Sequence, residues 1–183
     1  MSLTLLSGVP GVGLSSIAQE ARKRLDEYQL INFGDVMLEE AAVQDLATSR
    51  DELSELSRRQ TLRLQRRAGE YVADHSTGKN VLLTTHLAVA TGSGYLLGLP
   101  DDVLRDVSPD GFVLVEASVE TILDRRAESS RDYGDTSTVT VEFEQDLNRA
   151  AAIQYAATID VPIQLVENEG DREDAAADLV DTL

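Results

Sequence analysis

At 183 residues, 42% of them hydrophobic, the chain is long enough for one domain with a substantial core, and two independent domains are not expected. It has no cysteine, which excludes disulfides, thiolate metal sites and thiol catalysis. A formal net charge of −17 argues against general nucleic-acid binding, no apolar run approaches a membrane span, and no basic leader opens the chain, so the expectation is a protein that stays in the cytoplasm.

The elements read in order. Leu3-Thr4-Leu5-Leu6 predicts a buried strand, Gly8 to Ser16 a glycine loop, and Ile17, Ala18, Ala21 and Leu25 the apolar face of a helix. A strand is expected over Tyr28 to Asn32. Asp35 is then read as the N-cap of a helix with Met37, Leu38, Ala41, Ala42 and Leu46 on its apolar side. One long helical region is predicted from about Asp51 to His75, with Leu64, Ala68, Tyr71 and Val72 as its core stripe. Val81 to Thr84 predicts a buried strand, followed by a Gly-rich loop to Pro100 and a short helix through Val103, Leu104 and Val107. The next strand is Phe112 to Val115, and a helix with Val119, Ile122 and Leu123 runs into the polar stretch Glu128 to Thr136. A helix carrying Phe143, Leu147, Ala150 and Ala151, a strand over Val161 to Val166 and a helix with Ala175, Ala176, Leu179, Val180 and Leu183 close the chain. Five strands alternating with helices predict a three-layer α/β fold, a parallel sheet covered on both faces. Ligands in such folds gather beyond the C-terminal strand ends. That gathers Gly8–Ser16, Gly34–Asp35, Thr84–Gly98 and the region after Glu116 around one crevice.

The first loop carries the sharpest signal. Gly8-Val9-Pro10-Gly11-Val12-Gly13-Leu14-Ser15-Ser16 lies between a strand and a helix, and its G-x-x-x-x-G-x-S spacing matches the phosphate-binding loop, with Leu14 where the motif has lysine. Glycines let the backbone approach a phosphate closely, and successive N–H groups at a helix N-terminus favour an anion. On this reading the N–H groups of Gly11 to Ser15 bind a β-phosphate, Ser15 ligates Mg²⁺ and Ser16 reaches the α-phosphate. The competing reading is a tight Gly/Pro turn. Losing the lysine removes a charge-assisted hydrogen bond, about 1.5–3 kcal/mol, which is less than the loop amides and metal supply together.

Several segments resemble the archaeal-type adenylate kinases in family order: Gly8 to Gly13, Ile31-Asn32-Phe33-Gly34-Asp35-Val36-Met37, Ser49-Arg50-Asp51-Glu52, Thr85-His86, Gly94-Tyr95-Leu96-Leu97-Gly98-Leu99-Pro100 and Asn148-Arg149-Ala150-Ala151-Ala152. The resemblance covers nearly the whole chain. It implies a P-loop fold over residues 1–183, with a lid at about 128–137 and an AMP-side region at about 32–75. It further implies phosphoryl transfer from ATP to AMP with Mg²⁺, and a homotrimer. Gly34, Arg50, His86 and Tyr95 become the expected AMP-side contacts. This chain departs from the pattern at Leu14 for lysine, Thr84 for aspartate, Ala90 for a basic residue and Ser54 for arginine; Ser130-Arg131-Asp132-Tyr133 keeps one of two usual lid arginines.

The departures remove charges that would face phosphate or metal. Lys23 and Lys79, the two lysines among 16 basic residues, are poorly placed to compensate. Arginines are better candidates, namely Arg126 and Arg131 at the lid, Arg149 on the next helix and Arg50, since the planar guanidinium suits phosphate oxygens. For Arg126 and Arg149 the alternative is partnering the many carboxylates. No general base is needed, because the acceptor phosphate is already anionic, so His86 is either an AMP-side contact or a hydrogen-bonded loop histidine. The alternatives to an AMP kinase are a nucleotide-binding relative with little or no activity and a regulatory role, or a P-loop kinase or ATPase for another small acceptor. Arg59, Arg63, Arg66 and Arg67 share one helical face, read as a solvated surface or subunit contact. The acidic, lysine-poor composition resembles that of proteins from salt-loving organisms, in which about 1 M salt shortens the screening length to roughly 3 Å.

Overall fold

The computed structural model describes every residue except Gly92, Ser93, Arg131, Asp132 and Asp135. The first strand, β1 (Leu3–Ser7), runs into the loop and then helix α1 (Leu14–Arg24). Strand β2 (Tyr28–Asn32) follows, then helices α2 (Phe33–Val43), α3 (Arg50–Ser54) and α4 (Arg58–Ser76). Next come strand β3 (Asn80–Thr85), the short strands β4 (Ala88–Thr91) and β5 (Gly94–Leu97), helix α5 (Asp101–Val107) and strand β6 (Gly111–Glu116). Helices α6 (Val119–Glu128) and α7 (Thr138–Ile159), strand β7 (Ile163–Glu167) and helix α8 (Arg172–Asp181) complete the chain.

The five long strands form one sheet in the order β2-β3-β1-β6-β7, every pair parallel, as the alternation of apolar runs and helices predicts. Side chains alternate across it because a strand repeats every two residues. Leu3, Leu5, Val81, Leu83, Phe112 and Leu114 enter a core with α4, α5 and α7; Leu6, Leu82, Val113 and Val115 enter another with α1 and α8. The β1–α1 turn lies beside β3 and β6, so side chains from either neighbouring strand end reach it.

Four local expectations change. Asn32, not Asp35, caps α2, its Oδ1 accepting the Asp35 N–H at 3.1 Å. The predicted long helix is two, because Ser57 and Gln60 form a capping box that starts α4 afresh. Leu64, Ala68 and Val72 are buried as expected, whereas Tyr71 is exposed and stacks on His75 at 3.8 Å. The predicted loop to Pro100 contains an antiparallel hairpin, β4–β5, that pairs Ala90 with Tyr95.

Helix α7 departs furthest. Phe143 is exposed, and beyond Val141, which joins the α1 and α8 core, the upper half of its buried face is polar, with Glu144, Gln145 and Asn148; the lower half, Ala151, Ala152, Tyr155 and Ala156, is hydrophobic core. The reason is position. The upper half crosses the strand ends, where Ser7 Oγ donates to Asn148 Oδ1 at 2.7 Å, and these buried polar groups need partners. Among the described residues no helix is long and apolar enough to cross a membrane.

Candidate functional site

The loop between β1 and α1 is shaped by where its carbonyls point. Gly8 O accepts from His86 Nδ1 at 2.6 Å, Pro10 O from Arg126 Nε at 2.9 Å, and Val12 O from Arg125 Nη1 at 3.0 Å and Asn168 Nδ2 at 2.8 Å. Because a carbonyl only accepts, His86 carries its proton on Nδ1. Val9 O takes the Val12 N–H at 3.1 Å. With four carbonyls engaged, the N–H groups of Gly11, Gly13, Leu14, Ser15 and Ser16 have no protein partner among the described residues. Gly13 is the N-cap of α1 and offers no side chain, so the head of the helix stays uncovered. Gly11 and Gly13 have φ of 93° and 91°, in the left-handed region that glycine adopts without steric cost. The result is a row of donors at a helix N-terminus, suited to a polyphosphate.

Two connected clefts meet at this row. One, about 420 Å³, is bordered by the loop, Arg125, Asn168 and Arg172. The other, about 520 Å³, runs from Pro10, Leu14 and Ser15 past Phe33, Gly34, Met37 and Arg50 to the hairpin, Arg126 and Glu144. Leu14, Ser15, His86 and Tyr133 line both. A shallower hollow around Tyr28 and Lys79, about 730 Å³, lies at the opposite strand ends, away from where parallel sheets collect ligands.

Of the sequence-derived candidates, Val9, Pro10, Gly11, Gly13, Leu14, Ser15 and Ser16 of the loop, with Gly34, Arg50, His86 and Arg126, come to these clefts, whereas Gly8 and Val12 line neither, Val12 being buried in the core. Gly34 leaves room for the Arg50 guanidinium, which pairs with Asp35 and donates to Asn32 Oδ1 at 3.3 Å. Tyr95 touches the site through Glu144, to which its hydroxyl donates at 3.0 Å. Arg149 is a correction, since it borders neither cleft. Glu116 holds its Nε and Nη2 at 2.7 and 2.8 Å and Asp146 its Nη1 at 3.0 Å, and the Glu116 hydrogen bond raises its pKa. Its carboxylate-partner reading is the one the structure takes. Arg131 falls outside the described residues, as does part of the lid stretch around it. Arg66 and Arg67, on the basic face of α4, pair with Asp102 and Glu70.

The sequence reading missed Glu144, Asn168 and Gln65. Gln65 is buried and donates to Leu97 O at 3.2 Å and Gly98 O at 2.8 Å, fixing the hairpin's exit beside the larger cleft. No motif marks these three, because each acts across a long sequence separation. For a divalent cation the donor set is spare. Ser15 offers a hydroxyl, Thr84 Oγ1 is spent on Ile31 O at 3.4 Å, and among the described residues no group of three or more His, Cys, Asp or Glu could hold a metal. That fits Mg²⁺ arriving on phosphate oxygens, with few protein ligands.

A parallel sheet whose first strand leads through a glycine loop into an uncovered helix head defines a P-loop kinase fold. Two solved shikimate kinases share it: one from Acinetobacter baumannii, in complex with shikimate, with TM-score 0.65 and 9% identity over 100% of this chain and 92% of that one, and one from Bacteroides thetaiotaomicron, with TM-score 0.62 and 15% identity over 99% and 97%. A family described as an AAA domain matches residues 7–170. The adenylate kinase of Methanopyrus kandleri is 38% identical over 97% of this chain and 95% of its own length, and that of Pyrococcus horikoshii 38% identical over 99% and 94%. The chain belongs to the adenylate kinase family and is a nucleoside-monophosphate kinase.

Proposed function

We propose that the enzyme transfers the terminal phosphoryl group of ATP to AMP, giving two ADP, with the loss of the loop lysine met by Arg126. The observation that carries this reading is the row of amides at the head of α1, unpartnered among the described residues and opening on the same cleft as the Arg126 guanidinium. The amides of Gly11, Gly13, Leu14, Ser15 and Ser16 grip the β-phosphate, and Arg126, held to the loop through Pro10 O, supplies a cation beside it. Ser15 Oγ would hold Mg²⁺, which when bound neutralises phosphate charge. The acceptor occupies the larger cleft, where Phe33 and Met37 offer apolar walls and Arg50 a charge. With both phosphates anionic, the protein aligns them, offsets their charge and excludes water, and no side chain takes a proton.

A homotrimer is part of this proposal. Val139, Phe143 and Ile153 are exposed on α7, Leu97 is exposed on β5, and the edge strand β7 exposes Leu165. Patches of this kind mark association surfaces. The high acidic charge supports activity in concentrated salt, the environment we infer for the enzyme.

The test is a coupled assay of ADP formation from ATP, AMP and Mg²⁺ at several KCl concentrations, with other nucleoside monophosphates as acceptors. Turnover with AMP, lost in Ser15→Ala, is expected; absence of turnover at every salt concentration refutes the reading. A second reading, nucleotide binding without turnover, draws on Leu14 and Thr84 together. Calorimetric binding of ATP or AMP without ADP production selects it.

A further inference from the structure

Arg126 sits in the wall of the larger cleft with its side chain 1% exposed. Its Nε donates to Pro10 O at 2.9 Å and its Nη2 to Glu144 Oε2 at 2.5 Å. Among the described residues Nη1 has no hydrogen-bond partner. The Tyr133 ring lies 5.3 Å from the guanidinium carbon. Passage of the side chain across the loop depends on Gly11, since a Cβ there would stand 2.8 Å from Arg126 Cγ.

Glu144 is the unexpected member. A carboxylate bordering a cleft for polyphosphate opposes binding, in a site already short of cations at Leu14, Ser54 and Ala90. Stability does not account for it, because a buried ion pair stabilises no better than a well-packed apolar pair of similar volume. Its geometry suggests another use. Oε2 holds Nη2 of Arg126, and Oε1 receives the Tyr95 hydroxyl at 3.0 Å. The carboxylate therefore joins the donor loop, the root of the lid and the β4–β5 hairpin on the acceptor side. With two of its three nitrogens tied, the guanidinium cannot turn about its Nε–Cζ bond, and Nη1 is left as a buried donor lacking an acceptor among the described residues. Such a donor gains most from an acceptor brought by a ligand.

We propose that Glu144, braced by Tyr95, is a positioning residue that locks the Arg126 guanidinium so that Nη1 serves the transferring phosphoryl group. The proposal rests on the phosphoryl-transfer reading above, and it adds a residue to which neither motif nor loop spacing points.

The test compares the wild type with Glu144→Gln and Tyr95→Phe. In arginine-labelled protein without nucleotide, with the Arg126 signals assigned by loss in Arg126→Lys, the two Nη nitrogens give separate resonances in the wild type, and they merge in Glu144→Gln as rotation is freed. In the kinetic assay Glu144→Gln lowers kcat about tenfold, the size of one charge-assisted hydrogen bond. It also lowers KM for ATP, because a negative charge has left the cleft. Tyr95→Phe moves both in the same direction by less. A purely structural role would reduce the folded fraction and leave KM unchanged. Separate Nη signals persisting in Glu144→Gln, or an unchanged kcat per folded molecule, overturns the proposal. A wild type without turnover refutes the kinase reading instead, and the Arg126 signals still decide whether Glu144 locks the guanidinium.

Discussion

Leu14→Lys restores the charge that the loop lacks, and the structure sets both sides of its effect. Leu14 is 6% exposed, the first residue of α1, and borders both clefts while belonging, with Val9 and Val12, to the α1 core. A lysine there reaches phosphate oxygens with a charge-assisted hydrogen bond of about 1.5–3 kcal/mol, roughly ten- to hundredfold in kcat/KM. Against this, burying leucine is worth about 1.5–3 kcal/mol, of which the lysine stem keeps a part. A cation at a helix N-terminus costs a further 0.3–1 kcal/mol or so. A net loss of about 1–2 kcal/mol corresponds to a melting point lower by about 2–8 °C at this chain length. The variant is therefore expected to be less stable without nucleotide, faster in the coupled ATP–AMP assay, and to regain its melting point on adding ATP. Leu14→Met, which keeps volume without charge, serves as control and leaves kcat/KM near the wild-type value. A folded Leu14→Lys enzyme with no rise in kcat/KM refutes the placement of the polyphosphate at this loop.

Three further outcomes follow from the same geometry. Gly11→Ala forces a side chain into the left-handed region at about 1–2 kcal/mol and against Arg126, so ATP affinity measured by calorimetry falls by about tenfold or more. Tyr155→Phe strands the buried Leu99 backbone, whose N–H and C=O the hydroxyl bonds at 3.1 and 2.7 Å, and costs about 2 kcal/mol or about 4–8 °C in a melting curve. Glu169 is pushed up by burial, but hydrogen bonds from Thr121 and Ser118 and the charge of Arg125 outweigh this and hold its pKa below the ordinary 4.5. Its carboxylate thus stabilises the folded state above that value and loses the contribution as pH falls through the lowered one. The melting-point gap between wild type and Glu169→Gln should be constant well above pH 4.5 and shrink as pH falls below it; a gap that stays constant into acid contradicts the assignment.

The sheet and the glycine loop between β1 and α1 were legible because each rests on local chemistry. Runs such as Val81-Leu82-Leu83 can satisfy both faces of a covered parallel strand, and Gly11 and Gly13 mark a turn that few other residues can make. The break between α3 and α4 was also readable, since Ser57 and Gln60 stand at capping-box spacing. What stayed hidden depends on distant partners. Periodicity assigns an inward face to Phe143 and Leu147, yet α7 turns Glu144 and Asn148 inward because Arg126 and Ser7 await them there. Arg149 is indistinguishable in sequence from a phosphate ligand, and only the placement of Glu116 and Asp146 takes it out of the site. The hairpin escaped because Ala88 to Thr91 and Gly94 to Leu97 lack a clear polar–apolar alternation.

The most direct test of the account is an amide titration by nitrogen–proton NMR, adding ATP and Mg²⁺ to the enzyme in concentrated KCl. The N–H signals of Gly11, Gly13, Leu14, Ser15 and Ser16 should move together along one saturating curve, and more than those elsewhere on the sheet. If ATP at saturating concentration leaves these five signals in place, the loop does not hold the polyphosphate, and the phosphoryl-transfer account fails with it.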